Sequence, residues 1–407
     1  MRKPTLWAGA LFAALAAPAA AQQAMTPVTV IAASPTATTA SILHGAAYNT
    51  QRDEYLVTWG YLDAQLDEWR LRAIRLDRWG RPIGAPFDVT SFTNDLVWPD
   101  VAYDSHNDRY LVVWDERWTP SGEDQDVRAR FVSGEGVPLD PSPYFFIASS
   151  VEQETVPVIA SSDSGEKYLV TWTQSTSSSM SSDIRGVFVT FDGGIGSPFD
   201  LSTNTASSLD FSAVAWDPFF QNFLSVYERD GSLMGRTVGS DGMLGTEMSI
   251  GESWLRGVAA CDGILLVVWH RNHTVYGQMV LGAGVFWGPV LTLLDSPTVY
   301  TFPMSVACRY HGNEFLVPIS LETGGWQPGG RVLSAMRVNS VTGEQSALIP
   351  LASMTGYPGF NAVTAGGASG WLVAWEDPPY IYGLVLWDLF TDGFEWGTSD
   401  RWSRHWP

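Results

Sequence analysis

A five-residue apolar pattern recurs seven times along the chain. The copies are YLVTW (55–59), YLVVW (110–114), YLVTW (168–172), FLSVY (223–227), LLVVW (265–269), FLVPI (315–319) and WLVAW (371–375). The last residues of consecutive copies lie 55, 58, 55, 42, 50 and 56 positions apart. A period near fifty residues is typical of propellers and other repeat arrays. The repeat therefore overrides the two or three domains that a length of 407 residues would suggest.

Each repeat contains strand-length pieces separated by turn signals. The third repeat places VPVIAS (156–161) before its pentad, and DIRGVFV (183–189) and SPFDLS (197–202) after it, with the turn DGGIG (192–196) between those two. Short β-branched and aromatic runs bounded by Gly, Asp and Ser are typical of strands joined by tight turns. Helical periodicity is found only at the N-terminus, so the sequence predicts an all-β protein.

The pentad is apolar on both of its faces. In the second copy, Tyr110, Val112 and Trp114 point one way, while Leu111 and Val113 point the other. A strand covered on one side alternates with polar residues, so this pattern requires cover on both sides. Four-stranded blades stacked around an axis provide such cover, and so do the layers of a solenoid.

The two ends of the chain distinguish the propeller from the solenoid. The seventh repeat runs through YIYGLVLW (380–387) and lacks a fourth piece, whereas TPVTVIAAS (26–34) precedes the first repeat and matches APFDVTSF (85–92). We therefore expect the first strand of the mature chain to complete the last blade and remove an exposed sheet edge. A solenoid would need capping units instead. The predicted fold is a single seven-bladed β-propeller of four-stranded antiparallel blades.

The domain boundaries follow from this repeat. We expect a signal peptide at 1–21, the propeller at 22–390 and a C-terminal tail at 391–407. The blade cores are predicted near 44–92, 99–148, 156–203, 211–250, 256–294, 303–352 and 358–387, the last completed by 26–34. Pro318 replaces the fourth pentad residue of the sixth repeat. Since proline cannot donate a hydrogen bond to a ladder, we expect that strand to be bulged or frayed.

The N-terminal residues predict export. Arg2 and Lys3 precede an apolar stretch at 6–17 that is too short to span a bilayer, and the small residues 19–21 form a cleavage site. We expect cleavage near Ala21 and a secreted or periplasmic monomer without a membrane span. The formal net charge of -20 disfavours nucleic acid as a partner.

The repeat unit resembles the repeats of secreted bacterial β-propeller proteins of undefined function. The shared features are an aromatic-Asp turn, the YLVxW pentad, a DIRG-like strand and an SPFDLS-like strand, and they cover roughly residues 26 to 390. The segment LFTDGFEWGTSDRWS (389–403) resembles the DGFESG-type tails of many secreted bacterial proteins, with Trp396 where that pattern has Ser. The resemblance implies the propeller fold and export, and it brings no catalytic residues.

Two short motifs suggest chemistry but fit a structural role better. SSDSGEKY (161–168) has the letters of the Asp-box turn of sialidase-type propellers, yet it lies between first and second strands, whereas that box joins third and fourth strands. His270 and His273 have the spacing of metal ligands on a helix, but they follow the fifth pentad in a loop without an evident third ligand. We therefore expect no metal and no cofactor.

Acidic and aromatic residues cluster in the loops that follow the pentads. In a propeller these loops share one face with the fourth-to-first connections, around the mouth of the channel, where propellers usually bind. Carboxylates among Trp and Tyr suit a cation, a basic peptide segment or a stacked sugar, although a chain this acidic also predicts a solvated acidic rim. The candidate binding residues are Asp63, Trp69, Asp115, Glu116, Trp118, Glu228, Asp230, Glu376, Asp377 and Tyr380.

Two functions follow from this reasoning. The first is a secreted, non-catalytic binding or interaction module for an extracellular glycan, peptide or protein. The alternative is an extracellular carbohydrate-active enzyme, glycosidase or sialidase-like, whose acids come from Asp115, Glu116, Glu228 or Glu376. Two carboxylates about 5 to 9 Å apart in a cleft walled by Trp would favour the enzyme.

Two cysteines are too few for a disulfide scaffold in a chain of this length. Aligning GVAACD with DVAYD places Cys261 and Cys308 at equivalent positions, on the first strands of blades five and six. Equivalent side chains point in the same rotational sense, and packed sheets lie roughly 10 Å apart. A disulfide needs Cα atoms about 4.4 to 6.8 Å apart, so we expect two buried free thiols.

Overall fold

Seven antiparallel sheets form the described part of the chain. The computed structural model describes residues 24–33, 41–63, 68–91, 96–117, 125–140, 144–162, 166–175, 182–202, 211–252, 254–322, 330–354, 362–377 and 380–387. The predicted signal peptide and all of the predicted tail lie outside these ranges. No helix in these ranges is long and apolar enough to cross a membrane.

Blades one to four each use four consecutive strands. Blade one comprises β3 (Ser41–Asn49), β4 (Glu54–Asp63), β5 (Glu68–Asp77) and β6 (Pro82–Ser91). Blade two comprises β7 (Leu96–Asp104), β8 (Arg109–Arg117), β9 (Gln125–Ser133) and β10 (Phe145–Ala148). Blade three comprises β11 (Gln153–Ser162), β12 (Lys167–Ser175), β13 (Ser182–Thr190) and β14 (Phe199–Ser202). Blade four comprises β15 (Ser212–Asp217), β16 (Asn222–Arg229), β17 (Ser232–Gly239) and β18 (Met248–Glu252).

Blades five to seven complete the ring. Blade five comprises β19 (Trp254–Cys261), β20 (Ile264–Arg271), β21 (Thr274–Leu281) and β22 (Val285–Asp295). Blade six comprises β23 (Tyr300–Pro303), β24 (Ala307–Cys308), β25 (Glu314–Glu322), β26 (Arg331–Asn339) and β27 (Ile349–Met354). Blade seven comprises β28 (Ala362–Gly366), β29 (Gly370–Asp377) and β30 (Tyr380–Trp387), with β1 (Ala24–Met25) and β2 (Thr29–Ala33).

The N-terminal strands close the ring, as predicted. Both β1 and β2 pair antiparallel with β30, and Val30 lies opposite Tyr382. Ile31 and Ala32 are buried in the same apolar cluster as Ile381. The first strands of successive blades contact one another around the whole circle, from blade seven back to blade one. They therefore line the central channel of a seven-bladed β-propeller, which confirms the predicted fold.

The apolar core lies between the blades, which explains the two apolar faces of the pentad. Tyr110 and Val112 pack in a cluster with Leu56 of blade one. Leu111 and Val113 face the other way and pack with blade three. Seven such clusters fill the seven interfaces between adjacent blades.

The irregularity predicted for the sixth pentad lies in a neighbouring strand instead. Strand β25 runs unbroken through Pro318, which lies opposite Ala335 of β26. The first strand of the blade is the one interrupted, between Pro303 and Ala307, and Met304 N donates to Pro318 O at 2.8 Å. In an antiparallel strand a residue's N and O point to the same side, so the donor that proline lacks is missing on the side of the first strand.

The prediction of free thiols is wrong, because Cys261 and Cys308 form a disulfide with a Cα–Cα distance of 5.5 Å. Cys308 lies opposite Phe315, the first pentad residue of its blade, whereas Cys261 lies opposite Ile264, one residue before its own pentad. The two positions therefore differ by one residue, and a shift of one residue turns a strand side chain to the opposite face. The two cysteines consequently face each other across the interface between blades five and six.

A tight hairpin in blade five causes this shift. Asp262 and Gly263 alone connect β19 to β20, with φ of 40° and 94°. Asp-Gly is the preferred pair for a two-residue turn with two positive φ angles. The first strands of blades five and six, which are their inner strands, also approach more closely than packed sheets do. A Cβ on Gly257 would lie 3.3 Å from Val306.

Candidate ligand site at the channel mouth

The inner strands of five blades carry a register shift at the same level of the channel. The shifts follow Leu43, Val97, Thr155 and Leu255, and the gap after Pro303 occupies the same level in blade six. A bulge of this kind bends its strand and re-aims the side chains beside it. Trp98 and Val156 adopt positive φ angles of 51° and 53° within these bulges. Such backbone is uncommon for bulky residues and concentrates at functional sites.

A cavity of about 720 Å³ lies within the ring of inner strands. Its wall is mostly apolar and includes Val158, Val258, Val306 and Val363. A small number of polar side chains interrupt this wall, among them Asp100, Ser212, Arg256, His270, Asn272 and Ser305. A largely apolar cavity of this size with a few polar groups is typical of a small-ligand site.

Aromatic side chains surround the mouth of this cavity. Trp254 and Tyr300 begin the first strands of blades five and six and are 50% and 49% exposed. Phe302 lies parallel to Tyr300, with ring centroids 6.4 Å apart, and His270 lies between Phe302 at 4.9 Å and Trp254 at 6.4 Å. The starts of first strands and the ends of pentad strands lie on the same face, so this mouth is on the face that the sequence analysis favoured.

On the other side of the ring, blades two and four contribute a second pair of rings. Trp98 contacts Phe211 edge to face, with ring centroids 5.9 Å apart. Below this pair, Asp100 Oδ1 accepts a hydrogen bond from Val101 N at 2.8 Å, and Oδ2 accepts one from Ile159 N at 3.0 Å. Removal from water nevertheless raises the pKa of Asp100 to about 7.

Two cationic or titratable groups of blade five face the cavity. Arg256 is the residue displaced by the bulge of β19 and is partly buried. His270 follows the fifth pentad and is 5% exposed, and its Nδ1 has no hydrogen-bond partner in the described part of the chain. Burial, and then the charge of Arg256, lowers the pKa of His270 to about 3, so its imidazole is neutral at pH 7.

The structure places the candidate acids of blade two in the interior. Asp115 is 1% exposed and accepts a hydrogen bond from the backbone of Val156 in blade three, and burial raises its pKa well above the usual range. Glu116 is 2% exposed and binds Arg128 Nη1 at 2.7 Å. Arg128 in turn lies over the ring of Tyr144 at 4.2 Å. These groups connect strands and blades, and their predicted role in binding stays a prediction.

The remaining candidates are distributed over several environments. Glu228 Oε1 accepts a hydrogen bond from Leu255 N at 2.5 Å, which joins blade four to the bulge of blade five. Glu376 is buried after the seventh pentad, whereas Tyr380 is exposed. Asp230 is exposed, Asp377 and Trp69 are partly buried, and the side chain of Asp63 and all of Trp118 lie outside the described residues.

Asp115, Glu228 and His270 occupy the same position, directly after their pentads. At this position the side chain points toward the inner strand of the following blade, where Asp115 and Glu228 accept backbone hydrogen bonds. His270 instead meets Phe302 and the cavity. A comparison of these positions across the repeats would have separated structural acids from groups that face the channel.

The residues of the mouth that sequence reasoning missed share one signal. Each lies at or beside the start of a first strand, one to four residues before the piece that precedes the pentad: Trp98, Phe211, Trp254, Tyr300 and Phe302. The sequence shows an aromatic residue at this place in blades two, four, five and six. His270 was considered only as a metal ligand, and within the described ranges no group of three or more potential ligands could hold a metal ion.

The fold and this mouth define a seven-bladed β-propeller with an aromatic-walled central cavity. No family model matches the chain, and no curated protein matches it. Among solved structures, it is similar to the Dos1 propeller at 7% identity, over 89% of this chain and 95% of that one, with a TM-score of 0.49. An α-L-arabinofuranosidase from Fusarium graminearum matches at 10% identity, over 77% and 98%, with a TM-score of 0.49. A variant of the Aleuria aurantia lectin in complex with Fucalpha1-6GlcNAc matches at 12% identity, over 76% and 96%, with a TM-score of 0.45. These similarities concern the fold alone.

Proposed function

We propose that this protein is a non-catalytic binding module that holds an extracellular ligand at the aromatic mouth of its channel. The observation that carries the proposal is the group of rings from blades five and six, in which Trp254 and Tyr300 are half exposed above a cavity of about 720 Å³. Exposed aromatic rings offer a large contact area at a small cost in conformational entropy, and they are enriched at binding sites.

Three of the four carboxylates considered for catalysis support binding over hydrolysis. Glu116 is neutralised by Arg128, and Asp115 and Glu228 each accept a backbone hydrogen bond from the following blade. A glycosidase needs one carboxyl group free to give a proton and a second free to act on the sugar or on water. These three groups are held by structural contacts instead.

An exported location is part of the proposal. The Cys261–Cys308 disulfide supports it, because such bonds persist in oxidising compartments and are rare in the cytosol. The charge pattern of the first residues supports it as well. The ligand is then a glycan, a peptide or a small molecule met outside the cytosol.

The test is an array of glycans and peptides, with a panel of small organic acids and amides measured by calorimetry, probed with the purified protein. Trp254→Ala and Tyr300→Ala should each weaken the binding of a captured ligand by about tenfold or more, as expected for an aromatic residue that stacks on its ligand. Trp287→Ala is the matched control, since Trp287 is 40% exposed on the outer strand β22. Equal loss in all three variants, or turnover of a captured glycan, would contradict the proposal.

A further inference from the structure

Arg256 is a partly buried cation without a close counter-ion. It forms no hydrogen bond and no ion pair with the residues that the structure describes, and its Nε is buried without a partner. Glu228, the acid whose charge reaches it, accepts its hydrogen bond from Leu255 N instead. By contrast, the buried Arg128 has Glu116 at 2.7 Å. Burial lowers the pKa of Arg256, as expected of a cation that has lost water and gained no partner.

The backbone of blade five holds this cation at the cavity. Arg256 is the extra residue of the bulge between Leu255 and Gly257, so the bulge aims its side chain at the channel. Gly257, the next residue, has no side chain, so the first strand of blade six can approach closely. A Cβ at this position would lie 3.3 Å from Val306. The backbone therefore directs the side chain of Arg256 toward the cavity.

His270 supplies a second unsatisfied group in the same wall. Its Nδ1 is buried and has no partner among the described residues, although a buried polar atom normally has one. The ring lies between Trp254 and Phe302, so its orientation is fixed. In a neutral imidazole, Nδ1 either donates or accepts one hydrogen bond, depending on the tautomer.

We infer that the ligand of this mouth carries a carboxylate on an apolar or aromatic body, and that Arg256 binds the carboxylate while the rings of Trp254 and Tyr300 hold the body. This inference rests on the proposed function and adds the chemistry of the ligand to it. A guanidinium matches the two oxygens of a carboxylate with two parallel N–H bonds. The apolar wall of the cavity suits an aliphatic or aromatic body better than a sugar, because a sugar's hydroxyls would need more partners than the wall offers.

The charges around the cavity favour a single negative charge over a phosphate dianion. Among the described residues that line the cavity, Arg256 is the one arginine or lysine and Asp100 is the one carboxylate, and the charge of Glu228 also reaches Arg256. One carboxylate balances one guanidinium, whereas a second negative charge would face these acids without compensation. A free organic acid and the C-terminal residue of a peptide present the same chemistry.

The experiment measures binding by calorimetry at pH 7.5 with four probes. Phenylacetate and phenylacetamide compare an acid with its neutral amide, and a short peptide ending in Phe is compared as a free acid and as an amide. The expected result is that the acids bind at least about tenfold more tightly than the amides, as a charge-assisted pair predicts. Arg256→Gln should remove this preference, and Arg256→Lys should retain part of it because the charge stays while the fork is lost.

Arg271→Gln is the matched control, because Arg271 pairs with Glu252 at the exposed end of β20 and does not line the cavity. The Arg271→Gln variant should prefer the acids over the amides as strongly as the unaltered protein does. If only phenylacetate shows the preference, the source is a free acid, and if only the peptide does, it is a chain terminus. The melting temperature of Arg256→Gln without ligand should be unchanged or higher, since an uncompensated buried charge is gone.

With these four probes, three results would overturn the inference. They are equal binding of acid and amide, an acid preference that survives in Arg256→Gln, and no binding of either acid to the unaltered protein. Galacturonic acid binding more tightly than phenylacetate would also overturn it in favour of an acidic sugar. The proposed function is decided separately, because a neutral ligand captured through Trp254 would leave it standing while refuting the role of Arg256.

Discussion

The disulfide between blades five and six should contribute measurably to stability. The perturbation is the double variant Cys261→Ala with Cys308→Ala, which replaces both disulfide-bonded cysteines by small apolar groups and leaves no reactive sulfur. The bond closes a loop with a sequence separation of 47 residues. For a loop of this length, loss of chain entropy in the unfolded state corresponds to about 4 kcal/mol. For a protein of this size, this amounts to a fall in melting temperature of about 5 °C.

The assay is calorimetric or circular-dichroism melting of both proteins, each with and without a thiol reductant. Cys261 is 3% exposed, so the double variant is a cleaner perturbation than the reductant alone. The variant should be insensitive to reductant, which serves as the control. Ligand binding should be unchanged, because the bond lies at the ends of β19 and β24, on the face opposite the aromatic mouth.

Two results would refute the reasoning. If the unaltered protein, denatured without reductant, takes up two alkyl groups in mass spectrometry, the bond does not form and the register shift in blade five is wrong. If the bond is present but both proteins melt within about 1 °C of each other, the closed loop does not restrict the unfolded chain as assumed.

Two further predictions concern buried ionisable groups. Glu116→Ala should lower the free energy of unfolding by about 3 kcal/mol, because it removes the carboxylate that lies 2.7 Å from the buried Arg128, and chemical denaturation with Tyr380→Ala as an exposed control would show whether Glu116 is structural. The pKa of His270 falls from 6.5 to about 3 on folding, so the unfolded chain takes up its proton first and the stability contribution is lost as the pH falls from about 6.5 to about 3. His270→Phe keeps the ring contacts and removes this loss, so its melting temperature should fall less than that of the unaltered protein between pH 7 and pH 4, and parallel curves would contradict the lowered pKa.

The sequence predicted the blades because the pentad carries its burial pattern in itself. Tyr110 to Trp114 are apolar on both faces and are fully buried, as a strand between two sheets must be. The N-terminal strand was predictable for a similar reason, since the seventh repeat lacks one piece and Thr29–Ala33 supply it. Both inferences depend on the residue pattern within a repeat and on the number of strand pieces in each repeat, and tertiary packing changes neither.

The site was less accessible because it depends on register. A single residue of slip decides whether a strand side chain faces the next blade or the previous one, and the length of the hairpin at Asp262 decides that slip for Cys261. The sequence predicted that Asp115 and Glu228 belong to an acidic rim, but their side chains turn inward and accept hydrogen bonds from backbone groups of the following blade. Bulges such as the one at Arg256 leave no mark in the residue pattern, so the side chains that bulges turn toward the channel could not be assigned from it.

The closure of the ring also determines the order of folding. Blades one to six are each built from one continuous stretch of chain, whereas the strands of blade seven come from residues 24–33 and 362–387. The entropic cost of bringing such distant segments together grows only with the logarithm of their separation, so it does not prevent closure. Contacts between residues far apart in sequence form slowly, so we expect blade seven to close last. Until it occurs, β30 has a free edge and the N-terminal strand has no partner. Two copies of the chain can pair both strands by exchange, with the N-terminal strand of each copy on β30 of the other. Refolding at high protein concentration should therefore yield strand-swapped dimers that a dilute sample does not form.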